Sequence, residues 1–245
     1  MMRVLARVLF SEYFVLWLCL ACFALLAPAV PGLASPRNLS NMFSNMLPLA
    51  VAAIGQTAVL IAGGIDLSVT SAIAMASTCG ALTMTRGGEP GSAAAGIAVM
   101  LAAGLAIGLL NGVSVARLAM PPFMVTLTSM MFFSGLAIWL TRSRNIHNLP
   151  ASFLALGSGA WPVVITLAAA AGAHLALSRT WHGRRLYAVG MNARTARVSG
   201  VPVARVLTLA YLFSGLCAAV ASILYTARLE TGSPLMGQRI LLDVI

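Results

Sequence analysis

Apolar runs close to twenty residues long recur along this chain, near residues 10–30, 42–62, 67–85, 93–116, 122–141, 161–178 and 205–226. Each has the length a helix needs to cross a bilayer, about 20 residues. Lipid offers backbone amides no hydrogen-bond partner, so runs of this kind can only pair their own amides, as helices do. The charged residues make up 8% of the chain and the hydrophobic ones 60%, which leaves too little polar surface to clothe a soluble domain. The expected fold is all-α: a polytopic transmembrane helix bundle, a single transmembrane domain over residues 1–245, with membrane lipid as its main solvent. After Gly237 another apolar run, ILLDVI, begins and stops at Ile245, too short to cross. About seven complete spans plus the start of an eighth are expected, in a chain that reads as truncated at its C-terminus.

The N-terminus, MMRVLARVLF followed by FVLWLCLACFALLAPAV, has the charged and apolar regions of a signal peptide. Six further spans follow it, so an uncleaved first helix with a cytoplasmic N-terminus is the better reading. Alternating sides from there places Arg3, Arg7, Arg117, Arg179, Arg184, Arg185, Arg194, Arg197 and Arg205 inside, and Arg37, Arg86, Arg142, Arg144, Arg228 and Arg239 outside. The segment 179–205 holds the densest group and is read as cytoplasmic by the positive-inside rule.

The net charge of +10 does not signal nucleic acid, because the arginines flank apolar runs instead of sharing one basic face. The chain contains no lysine, and a phosphate-binding loop of the form G-x-x-x-x-G-K-[ST] needs one. This chain therefore cannot use ATP by that route, and any such ATPase would be a separate subunit. Cys19, Cys22, Cys79 and Cys217 have no histidine or carboxylate beside them and read as small packing residues. His147, His174 and His182 are scattered, so no metal site is assigned. No nucleophile stands with a base, and no catalytic residue is assigned.

Several polar or small residues stand out within the runs. Gly104, Gly108 and Gly112, with Gly96 before them, recur at multiples of four and make a smooth ridge on which another helix can pack. Asn45 and Gln56 lie eleven apart and share a helix face, which either lines a translocation path or bonds neighbouring helices. Asn111 lies near the cytoplasmic end of its span and reads as a packing or anchoring residue. Pro121, Pro122 and Phe123 open a helix.

Asp66, in GGIDLSV, is the hardest to place, since an ionised aspartate at a bilayer centre costs about 3 kcal/mol on insertion scales. Gly63 and Gly64 break the preceding helix. Asp66, helped by Ser68, is then expected to cap a helix starting at Leu67. The functional alternative makes Asp66 a hydroxyl acceptor or a proton site. In the segment from Gly183 to Pro202, Asn192 is expected to cap a short helix, Ala193 to Ser199, which Gly200 ends, with Arg194 and Arg197 on one side. The long, glycine-punctuated segment 179–205, with Gly183 and Gly190 in it, suits a cytoplasmic docking element better than a plain connection.

Three stretches together, IGQTAVLIAGGIDLSVTSAIAMAS (54–77), GLLNGVSVARLAMPPFMVTLTSMMFFSGLAIWLT (108–141) and GRRLYAVGMNARTARVSGVPVARVLTLAYLFSGLCAAVASILYTARLETGSPLMGQ (183–238), resemble the permease subunits of bacterial ATP-binding cassette importers for monosaccharides. This is the ribose-type branch of the family that includes branched-chain amino-acid permeases, and GGIDLS resembles the sugar branch. Thr128 and Met191 stand where the family usually has glycine. Members usually continue with more helices beyond the L-D-x-I element, here Leu242 to Ile245.

The resemblance implies a non-catalytic subunit in the bacterial inner membrane that imports a small sugar. It implies a second permease subunit, cytoplasmic ATPase subunits that carry the ATP and Mg, and a periplasmic sugar-binding protein. It implies no cofactor on this chain. Asn45, Gln56, Asp66 and Ser68 are the candidate translocation path. The other reading is a proton-coupled secondary transporter, with Asp66 as its carboxylate and glycine-broken helices around a midplane site.

Overall fold

The computed structural model describes residues 14–85 and 92–237. Among the described residues no strand forms, and the one β-type pairing is an antiparallel bridge between Ile146 and Gly232. The chain divides into two units, residues 1–45 and 46–245, at a point inside a continuous helix. The reading of one undivided domain drew no boundary there.

In the first unit, α1 (Phe14–Leu26) is apolar all round and buries none of its residues, as suits a helix facing lipid. Ser35 then starts α2 (Pro36–Ile61): its hydroxyl accepts the Asn38 amide at 3.3 Å, while the Asn38 side chain donates to the Leu33 carbonyl at 2.8 Å.

The second unit contains the rest of α2, then α3 (Val69–Met84), α4 (Ala93–Ala116), α5 (Pro122–Thr141), the single turn α6 (Ala151–Leu154), α7 (Trp161–Arg179), α8 (Trp181–Met191), α9 (Ala193–Val198) and α10 (Val203–Leu229). Helices α2, α4, α5, α7 and α10 are long and apolar enough to cross a membrane. The 13-residue α1 and 16-residue α3 are shorter. At 1.5 Å per residue, α3 extends about 24 Å, less than the roughly 30 Å hydrocarbon core. Its shortness follows from its surroundings. Twelve of its positions, from Val69 to Met84, are buried, so it is walled by protein and need not match the lipid thickness. The run ILLDVI and the N-terminal Arg3 and Arg7 lie outside the described residues, as do Arg86 and Arg239.

The core is built on α10. Gly104, Gly108 and Gly112 of α4 face it. A Cβ on Gly104 would collide with the Gly215 carbonyl and lie 2.7 Å from the Ala219 Cβ, and one on Gly112 would lie 2.9 Å from the Thr208 Cα. Helix–helix attraction in lipid comes from close packing, and these absent side chains allow it. Further along, towards its C-terminal end, α10 is tied to α3 by hydroxyls: Ser222 donates to the Ile73 carbonyl at 2.7 Å, and Thr226 to the Ser77 hydroxyl at 2.7 Å.

Two ends of the bundle can be distinguished. At one end lie the α2–α3 turn, the α4–α5 connection and the pair α8–α9. Thr126 at the start of α5 donates to the Ile65 carbonyl at 3.2 Å, and Gly190 of α8 abuts the Ile61 carbonyl. At the other end, Gly232 bridges Ile146, with amide–carbonyl distances of 2.8 and 2.9 Å. There Gly157 packs on the backbone of Ala227 and Arg228.

Candidate functional site

The chemistry-bearing residues gather where the α2–α3 turn meets α4, α5 and α10. Gly63, with φ of +80°, turns the chain back after α2 in a conformation that glycine adopts without strain. Gly64 has no room for a side chain, because a Cβ there would lie 2.7 Å from the Tyr211 hydroxyl. Ile65 stays exposed, while Asp66 and Ser68 turn into the protein and are only 3% and 1% exposed.

Asp66 uses both oxygens. Oδ1 accepts the Ser68 amide at 3.0 Å and the Ser68 hydroxyl at 2.6 Å, and Oδ2 accepts the Ser214 hydroxyl at 2.8 Å. Ser68 in turn accepts Nδ2 of Asn111 at 2.7 Å. The single hydroxyl proton of Ser68 is thus committed to the carboxylate, and its lone pair to the asparagine. The result is a directed chain, Asn111 to Ser68 to Asp66, with Ser214 entering from the opposite oxygen. It joins α4, the turn and α10. A buried charge needs this number of donors to offset the water it loses.

The expected cap differs in one respect. α3 starts at Val69, not Leu67, and Ser68 at its N-cap makes no side-chain cap bond. Asp66 closes a two-residue turn onto Ser68 and then reaches Ser214, so it braces the entry to α3 instead of sitting at its first position.

The other path residues are arranged differently. Gln56 is buried on α2 with neither amide atom hydrogen-bonded. Its neighbour Gly55 lies where α2 crosses α10, so close that a Cβ there would come 2.7 Å from the Cys217 Cβ and 3.1 Å from the Ser214 Cα. Asn45 is exposed and belongs to the first unit. Asn111, Ser129 and Tyr211 each also keep a buried side-chain oxygen without a partner. A cavity of about 300 Å³ opens beside Tyr211, lined among others by Gly63, Gly64, Val115, Pro121 and Pro122. Unpaired polar atoms of this kind are costly unless water or a solute meets them.

Ser214 and Tyr211 were not picked out from the sequence, although they sit three apart on one face of α10. Asp66, which Ser214 bonds, is 148 residues away along the chain, and Gly64, on which Tyr211 packs, is nearly as distant, so no local pattern points to them.

In the segment 179–205, Thr180 starts α8 by accepting the Gly183 amide at 3.3 Å, a helix the sequence reading did not separate. Gly183 is packed against the Leu177 carbonyl and Gly190 against that of Ile61. Asn192 caps α9 by accepting the Thr195 amide at 2.9 Å. Gly200 ends this turn of chain with φ of +82°. Arg194 and Arg197 are exposed, and Met191 and Val198 are 88% and 85% exposed. Asn192→Ala should remove about 1 kcal/mol of local stability. Hydrogen exchange should then quicken over residues 193–198, with Asn192→Asp restoring protection.

Among the described residues, no group of three or more His, Cys, Asp or Glu is placed to hold a metal ion.

A family model described as branched-chain amino acid transport system / permease component matches residues 38–245. The chain is 32% identical to the ribose import permease protein of Bacillus subtilis (strain 168), over 88% of this chain and 68% of that protein. It is 29% identical to the L-arabinose ABC transporter permease protein of Azospirillum brasilense, over 88% and 64%. It is 28% identical to the D-allose transport system permease protein of Escherichia coli (strain K12), over 93% and 70%. The chain thus spans about two thirds of the length of these relatives. No solved structure matches.

Proposed function

Because the chain belongs to the family of branched-chain amino acid transport system permease components, we propose that it is the non-catalytic membrane subunit of an ATP-binding cassette importer that moves a small sugar into the cytoplasm. The match across nearly the whole chain to permeases named for ribose, L-arabinose and D-allose carries this reading. None of those relatives is named as a proton-coupled carrier, so the comparisons lend that alternative no support.

In this reading the chain lies in the bacterial inner membrane with its N-terminus in the cytoplasm, and α1 and α3 count among seven spans. It works with a second permease subunit, a periplasmic sugar-binding protein and cytoplasmic ATPase subunits that hold ATP and Mg. The pair α8–α9 is the coupling element. The exposed Arg194 and Arg197, flanked by Met191 and Val198, suit a protein surface, where a paired interface charge counts for more than a solvated one. The polar turn around Asp66 and Ser68, with Gln56 on α2, is the proposed inner lining of the path.

Replacing both Arg194 and Arg197 with glutamate should weaken ATPase association and sugar uptake together, by tenfold or more in uptake, while binding-protein docking on the opposite face is unchanged. Cysteine at position 193, Ala193→Cys, should crosslink to the ATPase and not to the binding protein. Wild-type assembly and uptake in the double variant would reduce the segment to a solvated connection. Uptake that persists with ATP depleted and the proton gradient kept would overturn the importer reading as a whole.

A further inference from the structure

We propose that the slot between α7, α8 and α10 holds one acyl chain of an anionic phospholipid whose phosphate is met by Arg179 and Arg184. The slot has a volume of about 400 Å³, within the range of pockets that take small molecules. Its walls include Leu105 of α4, Leu177 of α7, Leu186 of α8, and Leu209, Phe213 and Leu216 of α10. Along α10 the lining runs from Val206 to Leu216. Those ten steps of 1.5 Å amount to about 15 Å, half of a hydrocarbon core about 30 Å thick. One end of the slot therefore reaches the middle of α4 and α10, at Leu105 and Leu216. The other opens at Thr180, His182 and Gly183, where α7 ends and α8 begins.

The wall is unsuited to a hydroxylated solute. Thr180 and His182 supply its side-chain polar atoms, and the Thr180 hydroxyl already donates to the Ala176 carbonyl at 2.6 Å and accepts the Gly183 amide at 3.3 Å. Each sugar hydroxyl buried there without a partner would lose its hydrogen bonds to water with nothing in return. An alkyl chain has no hydrogen bond to lose and gains by burial.

The mouth is cationic. Arg179 and Arg184 flank the three lining residues at the mouth and are both exposed. Arg185 lies with its Cζ 4.1 Å from the centre of the Trp181 ring, and Trp181 rests on His182 with ring centres 3.6 Å apart. Tryptophan and arginine together mark the level at which helices meet headgroups. Among the described residues the carboxylates are Asp66, whose oxygens are taken by Ser68 and Ser214, and Glu230, just past the far end of α10. Neither can neutralise these arginines. A lipid phosphate supplies the missing charge and brings the acyl chain with it, as basic residues near the surface draw anionic headgroups. Such a site needs only the bilayer around these helices and is independent of which solute the chain carries.

The test uses the assembled transporter with p-benzoylphenylalanine in place of Leu216. It is reconstituted in vesicles of equal parts phosphatidylglycerol and phosphatidylcholine with identical acyl chains, and illuminated. Mass spectrometry of the crosslinked lipid reads the headgroup ratio. Phosphatidylglycerol adducts should predominate. Arg179→Gln and Arg184→Gln should each lower the ratio about fivefold, the equivalent of about 1 kcal/mol, while Arg142→Gln at the other end leaves it unchanged. The same reaction from Leu209, which also lines the slot, gives the answer if the probe at 216 prevents assembly. Adducts in the bulk lipid ratio, equal loss with Arg142→Gln, or crosslinks to a protein partner in place of lipid would each overturn the site.

Discussion

Asp66→Leu is expected to leave little folded permease. The change strands three buried donors at once, the amide and hydroxyl of Ser68 and the hydroxyl of Ser214. At about 1–3 kcal/mol for each unmet donor, the loss is about 3 kcal/mol or more, a large share of a typical domain's stability. Ser68 would also lose the acceptor that orients it toward Asn111, so the tie to α4 should weaken as well. Asp66→Asn should behave quite differently. Its oxygen keeps both bonds from Ser68, and its amide can donate to the Ser214 hydroxyl, so the cost should be about 1 kcal/mol or less. Thermal unfolding of the purified protein, followed by size-exclusion yield, measures both. If Asp66→Asn folds normally yet abolishes sugar uptake, bracing the turn is an incomplete account and the negative charge itself has a role.

Gly108→Leu is the second large effect expected. A Cβ at Gly108 would collide with the Tyr211 carbonyl and stand 3.2 Å from the Cα atoms of Gly215 and Leu212. All three are backbone atoms of α10, so no rotamer change relieves the clash and the two helices must part. Overpacking of this kind costs about 1–3 kcal/mol where side chains can adjust, and more is expected here. Even Gly108→Ala should lower the unfolding temperature measurably. Gly172→Ala supplies the control: nothing lies within 4 Å of a Cβ there, so stability should stay within about 1 kcal/mol of the wild type. Equal losses at the two positions would show that helical glycine flexibility matters, and not the α4–α10 approach.

Features that depend on near neighbours in the chain were legible beforehand. Hydrophobic runs of membrane length prescribe helices because lipid leaves the backbone no other partner. Asn192 and Gly200 bracket a short helix because a cap bond spans three residues and a positive φ is a property of one. The small-residue spacing of Gly104, Gly108 and Gly112 marks a packing ridge for the same reason: the helix period alone puts them on one side. What such reasoning could not reach was which helix they meet. That is α10, a hundred residues on, and only the folded backbone places Gly215 against Gly104.

Asp66 lies on the boundary between the two kinds of knowledge. Its cost in a membrane and the glycines before it announce a special turn from the sequence alone. One of its oxygens does bond locally, to Ser68, two residues on. The other is held by Ser214, 148 residues away, and that bond converts a local turn into a brace between helices. The length of α3 was decided in the same way, since a helix enclosed by protein is released from the lipid thickness that sets the length of its neighbours. Sequence determined that this chain lives in a membrane as helices, and where most of them begin and end, because those outcomes rest on solvent and on contacts a turn apart. Tertiary structure decided which buried polar groups are satisfied and which stay open, because a hydrogen bond between distant residues depends on a backbone approach that no local pattern encodes.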